Sequence, residues 1–216
     1  MDRLRYTLLS DGSSNRALLP IITWLLQQHL QRVAIQREWA DLRILRNPPP
    51  RSNIPDRIRL SIDLYPCDLL FIHRDAEGSS PEQRICEINE AVQTARNNNY
   101  ISSTFPVVPI VPVRMLEAWL LFDLNAIRMA AGNPNGTQSL ALPSLSNLEN
   151  IPDPKGSLHK MLRDASELHG RRLRRFNSDS ALLRIPELID DFGQLRKLTA
   201  FQKLEDDIRQ TIAFFH

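Results

Sequence analysis

Four carboxylates and one imidazole stand where a chain of alternating strands and helices would turn: Asp11, His73, Asp75, Glu77 and Glu117. Asp11 follows the first apolar run, Asp75 and Glu77 follow the run CDLLFI, and Glu117 follows a proline-bearing, β-rich stretch. In an open parallel sheet, ligands gather outside the carboxyl ends of the strands. Side chains two apart on an extended chain point the same way, so Asp75 and Glu77 can face one site. Acids from three strand ends suit a hard divalent ion, since Mg²⁺ takes few carboxylates and keeps several waters. Such an ion polarises a phosphoryl oxygen and makes a hydroxide nucleophile. The expected metal ligands for Mg²⁺ or Mn²⁺ are therefore Asp75, Glu77 and Glu117.

Each of these residues also has an ordinary use. Loops after strands are polar, and the helix dipole alone favours an acid such as Glu117 in a first turn. Asp11, followed by Gly12, suits a turn. Asp123 lies on a different helix face from Glu117 and suits a cap. His73 can serve as a general base near neutral pH or fill a polar pocket at the sheet edge. With no second His or Cys at ligand spacing, the structural role has the stronger case.

The elements that must position these residues are legible as patterns. Strands are expected over 4–9, 32–39, 67–75 and 105–113, the last interrupted by Pro106, Pro109 and Pro112. The run CDLLFIHRD reads as a parallel strand covered on both faces. Helices are expected over about 14–30, from Pro55 to Tyr65, from Ser80 onward and over 114–132. Pro20 is a possible kink in the first. Ser80-Pro81-Glu82-Gln83 is a strong helix start, with a cap, a proline at the first position and a capping-box Gln. Strands alternating with helices give an α/β fold with a mainly parallel sheet flanked by helices. After Gly132 an irregular segment leads to helical patterns over 155–169, 178–191 and 194–215. The chain divides into an α/β core, 1–132, and a helical C-terminal extension, 133–216, packed on it.

Composition narrows the class. The chain is 42% hydrophobic and 24% charged, as in ordinary globular proteins. No stretch reaches the roughly eighteen apolar residues of a membrane span, and the N-terminus lacks the apolar core of a signal peptide. A cytoplasmic protein is expected, with Cys67 and Cys86 both reduced and buried. The sequence holds no GxxxxGK[ST], GxGxxG or GxSxG motif. Trp24 and Trp119 lie in apolar patterns and read as core. The basic residues are mostly Arg, with Lys only at 155, 160, 197 and 203. HGRRLRRFN (169–177) gathers Arg171, Arg172, Arg174 and Arg175. A helix there puts Arg171, Arg174 and Arg175 on one face, a ridge for nucleic-acid phosphates to which Arg51, Arg57 and Arg59 can add. The same run also reads as a solvated helix end paired with Asp164, Glu167 and Asp179.

Three stretches, DGSSN (11–15), HRD (73–75) and EAWLLFD (117–123), resemble an uncharacterised Toprim-like family of bacterial proteins related to RloB-type proteins. That family carries an EG-x-[ST]-E turn, a D-R-D strand end and an E-x-W-L-x-x-D helix after a proline-bearing strand. DPKGSL (153–158) and DDFGQLRKLTAFQKLEDDI (190–208) also resemble its tail, so the likeness spans most of the chain. It implies a Toprim-like fold and metal-dependent nuclease activity on nucleic acid, in the setting of anti-phage defence. By that resemblance Asp75 is the principal metal ligand, supported by Glu77 and Glu117. Asp11 stands where such enzymes place a general acid/base, so the expected catalytic set is Asp11, Asp75 and Glu77. The chain departs from the pattern at Asp11 and Asn15, where the family has Glu, and at His73, where it has Asp. Those departures fit an alternative: a catalytically silent module that binds nucleic acid or a protein partner, such as an ATPase subunit.

Overall fold

The computed structural model describes residues 2–215, the Phe214 side chain excepted. Four strands, β1 (Arg3–Leu9), β2 (Ala34–Trp39), β3 (Leu69–His73) and β4 (Val107–Ile110), form one sheet in the order β2-β1-β3-β4. All three pairings are parallel. The fold is α/β, with helices on both faces of this sheet.

The strand sequences dictate the two cores, because successive side chains leave opposite faces. Leu4, Tyr6 and Leu8 of β1, with Leu69 and Phe71 of β3, join α1 (Leu18–His29) and the C-terminal helices. Leu9, Leu70 and Ile72 join α2 (Ile54–Leu64) and α3 (Pro81–Asn97). Every residue of β3 is buried, and each Leu or Phe so covered contributes about 1.5–3 kcal/mol. His73 follows Phe71 by two positions and so leaves β3 on the α1 side.

The C-terminal part comprises α5 (Pro154–Ala165), α6 (Gly170–Arg175), α7 (Ser178–Arg184) and α8 (Thr199–Ile212). Leu158 and Leu162 of α5, Leu182 of α7 and Phe201 of α8 belong to the same apolar cluster as β1 and α1. Phe201 meets Trp119 edge-on, with ring centroids 5.3 Å apart. Among the described residues no helix is long and apolar enough to cross a membrane.

Several helices are shorter than their periodicity suggests. The expected helix over 114–132 is a 3₁₀ turn, Leu116–Leu120, followed by α4 (Leu124–Ala130). The break falls at Asp123, which is extended and whose Oδ1 accepts the Ala126 N–H at 2.9 Å; a cap is what its position suggested. The expected helix over 178–191 gives way to a 3₁₀ turn at Ile185, because Pro186 has no N–H to continue the ladder. Pro20 sits in the first turn of α1, where its missing donor breaks no bond. Cys67 is buried as expected, but Cys86 is exposed. It lies off the Ile88, Val92 and Ala95 stripe that α3 turns inward.

Candidate functional site

The strand order reverses between β1 and β3: the chain moves outward to β2 on one side of β1, then to β3 and β4 on the other. A crevice opens at the carboxyl ends of strands where the order switches in this way. There the structure holds a cavity of about 220 Å³ lined by residues from six parts of the chain. Asp11 and Asn15 arrive after β1, His73, Arg74, Asp75 and Glu77 after β3, and Glu117 after β4. Arg51 comes from the loop before α2, Arg84 from α3 and Lys155 from the first turn of α5.

All four acids singled out in the sequence therefore line one cavity, but their circumstances differ. Asp11 is already neutralised: its carboxylate accepts from Arg57 Nη1 and lies 3.5 Å from Arg74 Nε. Arg57 is buried, and its other terminal nitrogen donates to the Ser10 carbonyl at 2.8 Å. Glu77 is exposed on the rim and left-handed, with φ of 51°.

Asp75 and Glu117 form the inner pair. Asp75 Oδ1 accepts the Leu116 N–H at 3.0 Å, which ties the end of β3 to the turn that carries Glu117. The same oxygen lies 3.3 Å from His73 Nε2. Burial pushes the Asp75 carboxyl up, but the His73 ring and the Leu116 N–H together hold it below the usual range. Glu117 is 3% exposed. Among the described residues it has no ion pair, and no other residue donates a hydrogen bond to its side chain. Burial, and next the Asp75 charge, raise its carboxyl above the usual value.

His73 is 1% exposed and closes the inner wall. Asn15 Nδ2 donates to its Nδ1 at 2.5 Å, which puts the ring proton on Nε2, facing Asp75. Nε2 is buried and makes no well-formed hydrogen bond among the described residues.

The positive residues divide in the same way. Arg74 and Arg84 share the Glu87 carboxylate, at 3.3 and 2.8 Å. Arg51 and Lys155 have no carboxylate within ion-pair reach among the described residues, and so face the cavity with charge to spare. Arg51 was singled out by its place after the triple proline. Arg84 and Lys155 were not, because only the packing of α3 and α5 brings them here. Arg171, Arg172, Arg174 and Arg175 lie on α6 and do not line the cavity. All four are exposed, and α6 meets α5 at Arg163, whose Nη1 donates to the Leu173 carbonyl at 3.5 Å, about 12 Å of helix beyond Lys155.

The donor set gives a partial answer on a divalent ion. Among the described residues no group of three or more His, Cys, Asp or Glu side chains is placed to hold a metal. A cation that needs a full protein cage does not fit. Asp75 and Glu117 do fit one that takes one or two carboxylates and completes its shell with water and substrate phosphate, as Mg²⁺ does. Buried charges are paired or coordinate metals, and among the described residues Glu117 is met at hydrogen-bond range only by its own backbone N–H and, at longer range, by the Lys155 charge. Searches against family models, curated proteins and solved structures find no match to this chain.

Proposed function

We propose that this chain is a metal-dependent phosphodiesterase acting on nucleic acid, as its resemblance to Toprim proteins implies, with Asp75 and Glu117 holding Mg²⁺ or Mn²⁺. One observation carries the reading: Glu117 is buried beside a second carboxylate, Asp75, with no cation within ion-pair reach among the described residues. When bound, the ion supplies a polarised phosphoryl oxygen and a more acidic water. Arg51 and Lys155 orient the phosphate, and Arg74 and Arg84, fixed by Glu87, line the same cavity. Asp11 is held by Arg57 and Arg74, so it positions those arginines and gives up its proton-transfer role unless substrate displaces them. Glu77 is exposed on the rim, apart from the buried inner pair.

A second reading rests on the Asn15–His73 hydrogen bond. Two positions where the resemblance implies carboxylates here satisfy each other, which closes the polar pocket without an ion. In that reading the chain is a silent module that binds nucleic acid or a protein partner.

Metal binding separates the two. A ligand at one hundred times its Kd stabilises the folded state by about 2.7 kcal/mol. The enzyme reading expects millimolar Mn²⁺ or Mg²⁺ to raise the melting temperature of the wild type and not of Asp75→Ala. The silent-module reading expects no shift in either.

A further inference from the structure

A second cavity, of about 160 Å³, adjoins the first and shares Asp11 and Arg51 with it. Its walls differ in kind: Trp39 at the end of β2, Leu42, and the rigid pair Pro48-Pro49. We propose that this cavity is a nucleobase subsite, so that the cleft takes one unpaired nucleotide. The base lies against Trp39 and Arg43, and its phosphate faces Arg51. This assignment rests on the proposed phosphate site and names its substrate class as single-stranded.

Trp39 and Arg43 form one fixed surface. The Trp39 indole N–H donates to Ser10 Oγ at 3.0 Å, which fixes the ring at the sheet edge while leaving it half-buried. The Arg43 guanidinium lies over the ring at 4.9 Å and that of Arg16, which lines a different cavity, at 5.4 Å, so the surface offered to a base here is the Arg43 plane backed by Trp39. Asp41 grips that guanidinium by a two-point fork, at 2.7 and 2.8 Å. The result is a layered, preorganised platform whose charge is already neutralised. Unpaired bases stack on aromatic rings and on arginine planes of this kind.

The ordinary account of Trp39 and Arg43 is a cation–π contact covering an edge strand. That account gives no reason for the proline-walled cavity beside them. Nor does it explain why the cavity shares an unpaired arginine with the acidic site. A base seated in this cavity is parted from its complement, so an unpaired strand is the expected ligand.

The test is binding in EDTA, which removes cleavage from the readout. Fluorescence anisotropy compares a short labelled single strand with the duplex of the same sequence. The single strand is expected to bind at least about tenfold tighter, with Trp39→Ala losing roughly 5- to 100-fold and Trp39→Phe retaining most of the affinity. Arg51→Ala is expected to weaken binding and lower the salt slope by about one. Should Trp39→Ala fail to fold, a 2-aminopurine strand bound by the wild type decides the matter: quenched emission supports stacking, and unchanged emission overturns it. Equal affinity for single strand and duplex, or a folded Trp39→Ala that binds like wild type, overturns the base subsite. Metal-dependent cleavage of that duplex would still leave the phosphodiesterase reading standing. No binding to any nucleic acid overturns both.

Discussion

Asn15 and His73, fifty-eight positions apart, meet through Nδ2 and Nδ1 at 2.5 Å in a buried wall of the cleft. The contact sets the imidazole tautomer and aims its N–H at Asp75. One side of this pair comes from the 3₁₀ turn after β1 and the other from the last residue of β3. It therefore staples the two strand ends between which the strand order reverses.

Removing half of that staple leaves a buried polar nitrogen without a partner. Asn15→Leu is expected to cost about 1–3 kcal/mol, or roughly 2–4 °C in melting temperature per kcal/mol for a chain of this size. Thermal melting of wild type and variant measures it. The loss should persist in EDTA, since it does not depend on a cation.

Glu117→Gln should act in the opposite direction in metal-free buffer. The Glu117 carboxyl is raised by burial and by Asp75, so its ionisation opposes folding. Stability then falls as pH rises from the ordinary carboxyl value through the raised one. The neutral variant is expected to be about 1 kcal/mol more stable than wild type at pH 7–8. That advantage should vanish near pH 4, where the wild-type group is protonated folded or unfolded. Melts in EDTA across that range check the sign.

Glu205 gives the reverse case, far from the cleft. Arg196 donates to it at 2.8 and 2.7 Å and His29 Nε2 lies at 2.8 Å, linking α8 to α1. The Arg196 hydrogen bonds hold its carboxyl below the usual value, against burial. The stabilisation is present above the unfolded pKa and is lost as pH falls through the folded one. Glu205→Gln should cost about 1–2 kcal/mol at pH 7, discounted for the exposed Arg196 end. The difference from wild type should shrink below about pH 4. Paired melts at pH 3 and pH 7 measure it.

The α6 arginines should behave differently from Arg51. Arg174→Gln removes one exposed charge at the far end of α5. A phosphate contact there tracks the flanking backbone, so its loss should lower the salt slope by about one without changing base preference. Anisotropy titrations at several salt concentrations report both quantities.

Most of the scaffold was legible because its signals are local. The apolar run Leu69–Ile72 reads as a doubly covered strand, and Ser80 caps α3 by accepting the Gln83 N–H at 3.2 Å. The acids at strand ends were legible for the same reason: a parallel sheet sends its strand ends to one edge. What could not be read was partnership across the chain. Nothing near Asp11 in sequence signals that Arg57, from α2, neutralises it. Nothing near Lys155 signals that α5 starts at the cavity rim. The helix over 114–132 was overextended because Asp123, though it suited a cap, lies inside a continuous apolar pattern that carries no sign of a break.

Asp75 and Glu117 are proposed to hold a cation and, with it, to support phosphodiester cleavage. Purified protein incubated with plasmid DNA and with RNA, in Mg²⁺, Mn²⁺ or EDTA and beside Asp75→Ala, tests it most directly. Cleavage of at least one substrate is expected to need the metal and to disappear in the variant. Cleavage that survives Asp75→Ala, or none with either metal, would contradict it.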